Sequence, residues 1–221
     1  MTRCDDPEKH HRRSIRMPGF DYTQPGAYFV TICTQNRDCL LGQIVNGEMQ
    51  SNDAGRMVQS VWDTLPQHYP GADIDAFVVL PNHIHGIIIL TGPIPAAPVG
   101  AGPRACPDPT QPHDTDGQPR GVAPTKGMSL PDVVHRFKSL TTARYRHGVY
   151  ERGWQPFPRR LWQRSYYEHV VRSERALQRI REYILNNPAR WDTDIENPDV
   201  WPRGKTPDAA RHYAAIWGEP T

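Results

Sequence analysis

Apolar and polar positions along the chain fall into short runs, and each run predicts an element. Residues 28–34 (YFVTICT) are β-branched and aromatic and predict a strand. Residues 43–50 hold Asn46-Gly47 between apolar flanks, the signature of a two-residue hairpin whose turn needs positive φ twice. Met57, Val58, Val61, Trp62 and Leu65 recur at helical spacing behind Asn52 or Asp53, either of which can cap the helix, and Pro66 marks its end. Residues 75–80 and 83–90 predict two strands joined at Pro81-Asn82. Ser129 and Asp132 make a capping box with Pro131 in the first turn, opening a helix with Val133, Phe137 and Leu140 on one stripe that is expected to end near Arg146. Residues 161–171 predict a strand, and Ser173 caps a last helix over 174–187 that Pro188 stops.

With the hairpin set aside, the order is β-α-β-β-α-β followed by a helix. That order predicts an α+β protein, a ferredoxin-like (split βαβ) antiparallel sheet with packed helices. Such a fold hosts binding modules, nucleases and metabolic enzymes alike, so function must come from the residues it carries.

Residues 92–125 break the pattern: nine of the chain's 23 prolines and five glycines fall there, with almost no bulky apolar side chain. A stretch of that composition cannot bury enough surface to offset its ordering entropy, and a disordered insertion is expected. The expected organisation is a basic N-terminal arm (1–25), a main unit (26–191) containing the insertion, and an acidic C-terminal tail (192–221).

The composition of the 221 residues, 37% hydrophobic and 23% charged, with a mean hydropathy of −0.69, is that of a soluble chain. No apolar run approaches the ~18 residues of a membrane span. The start, MTRCDDPEKHHRR, has no apolar segment behind its charges and does not read as a secretory signal. A cytoplasmic protein without a membrane partner is expected. The four cysteines form no CxxC pair, which argues against a zinc ribbon and a disulfide framework. The net charge of +2 hides an asymmetry: residues 126–190 hold fourteen Lys/Arg against five Asp/Glu. A basic half of this kind suits a polyanion such as nucleic acid.

Two constellations carry candidate chemistry. His83-Ile84-His85 opens a strand, and a period of two puts both imidazoles on one face with Ile87 and Ile89. They are either a pair able to chelate a divalent cation or two unrelated histidines near a turn. On the last helix Tyr183 and Asn187 are four residues apart and share the flank beside Leu177, Ile180 and Ile184. They are either a nucleophile with an amide ligand or a core tyrosine with a C-capping asparagine. Tyr166 and Tyr167 must face opposite sides of their strand. Tyr167 and His169 share a face and are accessory candidates. Arg12, Arg13 and Arg16 in the arm, with Arg136, Lys138, Arg144, Arg164 and Arg179, are candidates for phosphate contacts.

The segments FVVLPNHIHGIIIL, LWQRSYYEHVVR and ERALQRIREYILNNPARW, with PGAYFVTICTQNR upstream, resemble the REP-associated tyrosine transposases, relatives of the single-tyrosine insertion-sequence transposases within the HUH endonuclease superfamily. The similarity runs through nearly all of residues 12–191 except the insertion. It implies a ferredoxin-like domain with a catalytic C-terminal helix, Mg²⁺ or Mn²⁺ on His83, His85 and Asn187, and Tyr183 as the nucleophile. The implied activity is endonuclease and strand transfer on single-stranded or hairpin (REP-like) DNA through a 5′-phosphotyrosine, by a monomer or homodimer. The chain departs from the family pattern in its long insertion and extended N-terminus. Two other classes remain open on the residues: a non-catalytic ferredoxin-like binder of hairpin DNA or RNA, and a metal-dependent hydrolase of small molecules using His83, His85 and His169.

Overall fold

The computed structural model describes residues 19–92, 128–202 and 207–217. The expected insertion, apart from Gly92, lies outside them, as do Arg12, Arg13 and Arg16 of the arm. Strand β1 (Gly26–Cys33) is central: it pairs antiparallel with β5 (His83–Leu90) on one side and β6 (Tyr167–Val171) on the other. Strand β4 (Ala72–Val79) pairs antiparallel with β5, giving the order β4-β5-β1-β6. Counting only these four, the order is 2-3-1-4, the ferredoxin-like arrangement. The intervening β2 (Gly42–Val45) and β3 (Glu48–Ser51) form a separate hairpin. Its turn places Asn46 at φ 53° and Gly47 at φ 77°, the doubly positive conformation that Asn-Gly adopts most readily.

Alternation along β1 and β5 divides the protein into three layers. Tyr28, Val30 and Ile32, with Ile84, Ile88 and Leu90, face α1 (Asp53–Asp63) and α3 (Leu130–Arg152), meeting Val58, Trp62, Val133 and Phe137. Phe29 and Ile87 face the other way, against α4 (Glu174–Asn186) and α5 (Ala209–Trp217), meeting Ile180, Tyr183, Ile184, Tyr213 and Trp217. A short helix, α2 (Leu65–His68), leads into β4. Helix starts follow local chemistry: the Asn52 side chain accepts from the Gly55 amide at 2.9 Å, Ser129 and Asp132 form the capping box, and Ser173 accepts from the Ala176 amide.

Two boundaries differ most from the sequence expectation. Helix α3 runs past Arg146 to Arg152 and stops at Gly153, whose φ of 66° suits a glycine C-cap. Gly148 lies within the helix, and the Trp154 indole packs against it in the space a Cβ would need. Strand β6 spans only Tyr167–Val171. The Lys138 ammonium takes the carbonyls of Gln163, Arg164 and Ser165 at 3.0–3.4 Å, so those groups do not join a ladder, and Trp162 instead donates to Thr141 Oγ1 at 2.8 Å. Beyond the last strand-facing helix, the acidic segment supplies buried residues. Ile195, Tyr213 and Trp217 are 2%, 0% and 2% exposed and belong to the layer under α4.

Candidate metal and tyrosine centre

The His-Ile-His run occupies the first three positions of β5. His83 pairs with Cys33 and His85 with Thr31 of β1, so both imidazoles project from the face that α4 covers, and both are fully buried. Each ring is tied at Nδ1. His83 Nδ1 donates to Asn82 Oδ1 at 2.7 Å, because the Asn82 amide nitrogen is committed to the carbonyls of Arg37 and Glu196. His85 Nδ1 donates to Thr31 Oγ1 at 2.9 Å, whose own hydrogen goes to the Tyr213 hydroxyl at 3.2 Å. Both Nε2 atoms therefore present lone pairs, and they stand 3.1 Å apart.

Burial lowers the pKa of both imidazoles from the usual value. For His85 the shift is large, with His83 and His212 adding to it; for His83 the Asp194 and Glu196 carboxylates oppose it. Neutral, deprotonated rings are the form that binds a cation. Asp194 approaches from the segment after α4, its Oδ2 3.9 Å from His83 Nε2. One donor atom from each of His83, His85 and Asp194 falls within 4.8 Å of the others, a cluster that could hold a metal ion.

Helix α4 brings the other two residues. Tyr183 is 6% exposed and its hydroxyl lies 3.4 Å from His85 Nε2. Its pKa is pushed far up, chiefly by burial and then by Asp194, with hydrogen bonding to Tyr213 and Asn187 opposing. Asn187 caps α4 at 1% exposure; its Nδ2 donates to Asp194 Oδ2 at 3.2 Å, while its Oδ1 is buried without a hydrogen-bond partner. Two imidazole lone pairs and a carboxylate, with an unsatisfied buried oxygen on the asparagine bonded to that carboxylate, are a donor set suited to a divalent cation.

The other sequence candidates are placed elsewhere. Tyr167 shares the face of the histidines but packs on Tyr213 and Phe29, at centroid distances of 4.5 and 6.2 Å, and His169 lies against Trp217. Tyr166 faces the opposite layer. Arg136, Lys138 and Arg144 sit on α3, across the sheet from the histidines; Arg136 lies over the Tyr69 ring. Arg164 is exposed, and Arg179 donates to the Trp217 carbonyl at 2.7 Å. Asp194 was not among the sequence candidates. The signal available was Ile195, one apolar residue inside an otherwise acidic run, marking a point where the chain returns to the core.

A ferredoxin-like sheet whose strand carries a histidine–hydrophobic–histidine run beneath a helix carrying a tyrosine fits the tyrosine HUH class of DNA-processing proteins. No protein-family model matches the chain. An uncharacterised protein of Haemophilus influenzae is 38% identical over 187 residues, which are 84% of this chain and 92% of that protein. A second H. influenzae protein, described as "Putative REP-associated tyrosine transposase", is 25% identical over 185 residues, 82% of this chain and 80% of that protein. A solved REP-associated tyrosine transposase bound to a REP hairpin aligns over 85% of this chain and 86% of its own, at 20% identity and a TM-score of 0.45. The chain belongs to one family with the 38% identical H. influenzae protein, and it is similar, more distantly, to REP-associated tyrosine transposases.

Proposed function

We propose that this chain nicks and rejoins single-stranded DNA at hairpin, REP-like sequences through a 5′-phosphotyrosine at Tyr183, with Mg²⁺ or Mn²⁺ held by His83, His85, Asp194 and the free oxygen of Asn187. One observation carries the reading: two neutral imidazole lone pairs face each other at 3.1 Å with a tyrosine hydroxyl 3.4 Å from one of them. Such a pair is stable only around a shared cation or proton.

A divalent cation bound there supplies positive charge to the non-bridging oxygens of the scissile phosphate. His83 and His85 are kept in the required tautomers by Asn82 and Thr31. The Tyr183 oxygen forms the bond to phosphorus, and the bond to the 3′ oxygen breaks. The phenol loses one proton and the departing 3′-hydroxyl gains one. A second 3′-hydroxyl attacking the phosphotyrosine reverses the step and joins strands, so nicking and joining share the site.

Tyr183 is nearly buried, with Tyr213 and Trp217 of α5 packed on it at 5.9 and 5.4 Å, so a phosphate reaches it only when α5 shifts. The same shift admits water and removes burial, the largest of the effects holding the phenol proton in place. DNA as substrate is supported by the similarity to REP-associated tyrosine transposases and by the excess of nine positive charges over residues 126–190. Exposed Arg136, Arg144 and Arg164, and the arm with Arg12, Arg13 and Arg16, are the proposed phosphate contacts. Lys138 and Arg179, which already bond carbonyls of their own chain, contribute charge only.

The test is to incubate the protein with labelled single-stranded hairpin DNA and Mn²⁺ and run a denaturing gel. A labelled band at protein mass supports the reading. Hairpin binding with no covalent band would favour a non-catalytic binder.

A further inference from the structure

The loop after β1 holds two consecutive non-glycine residues in the left-handed region, Asn36 at φ 62° and Arg37 at φ 61°. Backbone of this kind is costly and persists where surrounding contacts over-determine it. Here it turns the Arg37 side chain inward, to 7% exposure. Its guanidinium donates from Nη1 to the Ile195 carbonyl at 3.1 Å and from Nη2 to the Trp201 carbonyl at 3.0 Å, with Glu196 at 3.9 Å. These acceptors follow Asp194 in a stretch, 194–202, that has no helix or strand to place it.

Fully buried Asn82 completes the connection. Its Nδ2 donates to the carbonyls of Arg37 at 3.1 Å and Glu196 at 2.8 Å, and its Oδ1 accepts from His83 Nδ1. One amide thus ties the strained loop, the Asp194 segment and the first histidine together, and fixes which His83 nitrogen carries the hydrogen.

Building on the metal reading above, we infer that Arg37 and Asn82 are positioning residues for the cation centre: Arg37 holds the segment that delivers Asp194, and Asn82 sets the His83 tautomer that aims Nε2 at the site. Neither touches substrate or cation. Outer partners of metal ligands typically change metal affinity by about 10–100-fold when removed.

The experiment titrates Mn²⁺ into wild type, Arg37→Gln, Asn82→Ala and a control, Asp75→Asn, by calorimetry, with folding checked by circular dichroism. The control breaks the Arg181–Asp75 ion pair on the same side of the sheet, away from the loop. Wild type and control are expected to bind one Mn²⁺ with equal affinity, and the two loop variants to bind about 10–100-fold more weakly. Wild-type binding with unchanged affinity in both folded loop variants would overturn the inference and leave the metal reading standing; no binding by wild type would overturn that reading and the inference with it. Should the variants not fold, ¹⁵N spectra of wild-type His83 decide: a proton on Nδ1 supports the inference, and a proton on Nε2 overturns it.

Discussion

Gly86 separates His85 from Ile87 on β5 and faces the opposite layer, where the Trp62 ring lies directly over it. A Cβ built at this position would stand 2.5 Å from Trp62 Cη2 and Cζ2 and 2.9 Å from Phe77 Cδ2. Trp62 stacks on Phe77 at 4.3 Å, meets Phe137 edge-on, and is 1% exposed, so the ring cannot swing aside without displacing its neighbours. Gly86→Ala therefore requires a shift of roughly 1 Å in either the ring pair or the central strand, an overpacking change that costs about 1–3 kcal/mol. The clash with two packed rings places the cost in the upper half of that range. For a chain of this size each kcal/mol lowers Tm by about 2–4 °C, giving a fall of about 4–12 °C. If β5 yields rather than the rings, His85 moves with it and Mn²⁺ affinity falls as well. Calorimetric melting of wild type and variant, with a Mn²⁺ titration of each, measures both effects. A variant within 0.5 °C of wild type would refute the claim that the histidine strand is pinned from behind by Trp62.

The Asp75 carboxyl is held below the usual carboxylate pKa, first by hydrogen bonds from Arg181, which join α4 to β4. That contribution is fully present above the unfolded value near ~3.9 and is lost as pH falls through the lower folded value. Arg181→Met is therefore expected to cost about 1 kcal/mol in urea melts at pH 7 and progressively less as the pH drops below about 4. Because burial holds both histidines below the ordinary imidazole pKa of ~6.5, Mn²⁺ affinity is expected to be nearly flat from about pH 8 to 6.5 and to weaken only at lower pH. His85→Ala is expected to abolish Mn²⁺ binding and cleavage while sparing most hairpin affinity in a gel-shift assay, since phosphate contacts dominate that affinity; retained cleavage would contradict the metal assignment.

The parts of the fold that were legible in the sequence are those fixed within a few residues. Alternation over 83–90 assigned His83 and His85 to one face and Gly86 to the other, and helical spacing put Tyr183 on the sheet-facing flank of α4, because each pattern is local and periodic. The end of α3 was expected near Arg146, six residues early, because Gly148 makes room for the Trp154 ring inside the helix and that contact cannot be read from local pattern. The strand expected over 161–171 is broken in its middle because the carbonyls of Gln163, Arg164 and Ser165 are taken by Lys138, 25–27 residues away. Asp194 and Arg37 were missed for a related reason. Their roles come from long-range contacts, Arg37 to Ile195 and Asp194 to His83, that involve a loop and a segment without periodicity.

The central claim is that Tyr183 is the residue joined to DNA. The most direct measurement incubates the protein with hairpin single-stranded DNA and Mn²⁺, digests the covalent product, and maps the DNA-bearing peptide by mass, in wild type and in Tyr183→Phe. The substitution removes one oxygen and keeps the ring beside Ile184, so folding and hairpin binding should survive. The account expects the adduct on the peptide containing Tyr183 and no adduct, cleavage or joining in the variant. An adduct on Tyr166 or Tyr167, or undiminished cleavage by Tyr183→Phe, would contradict it.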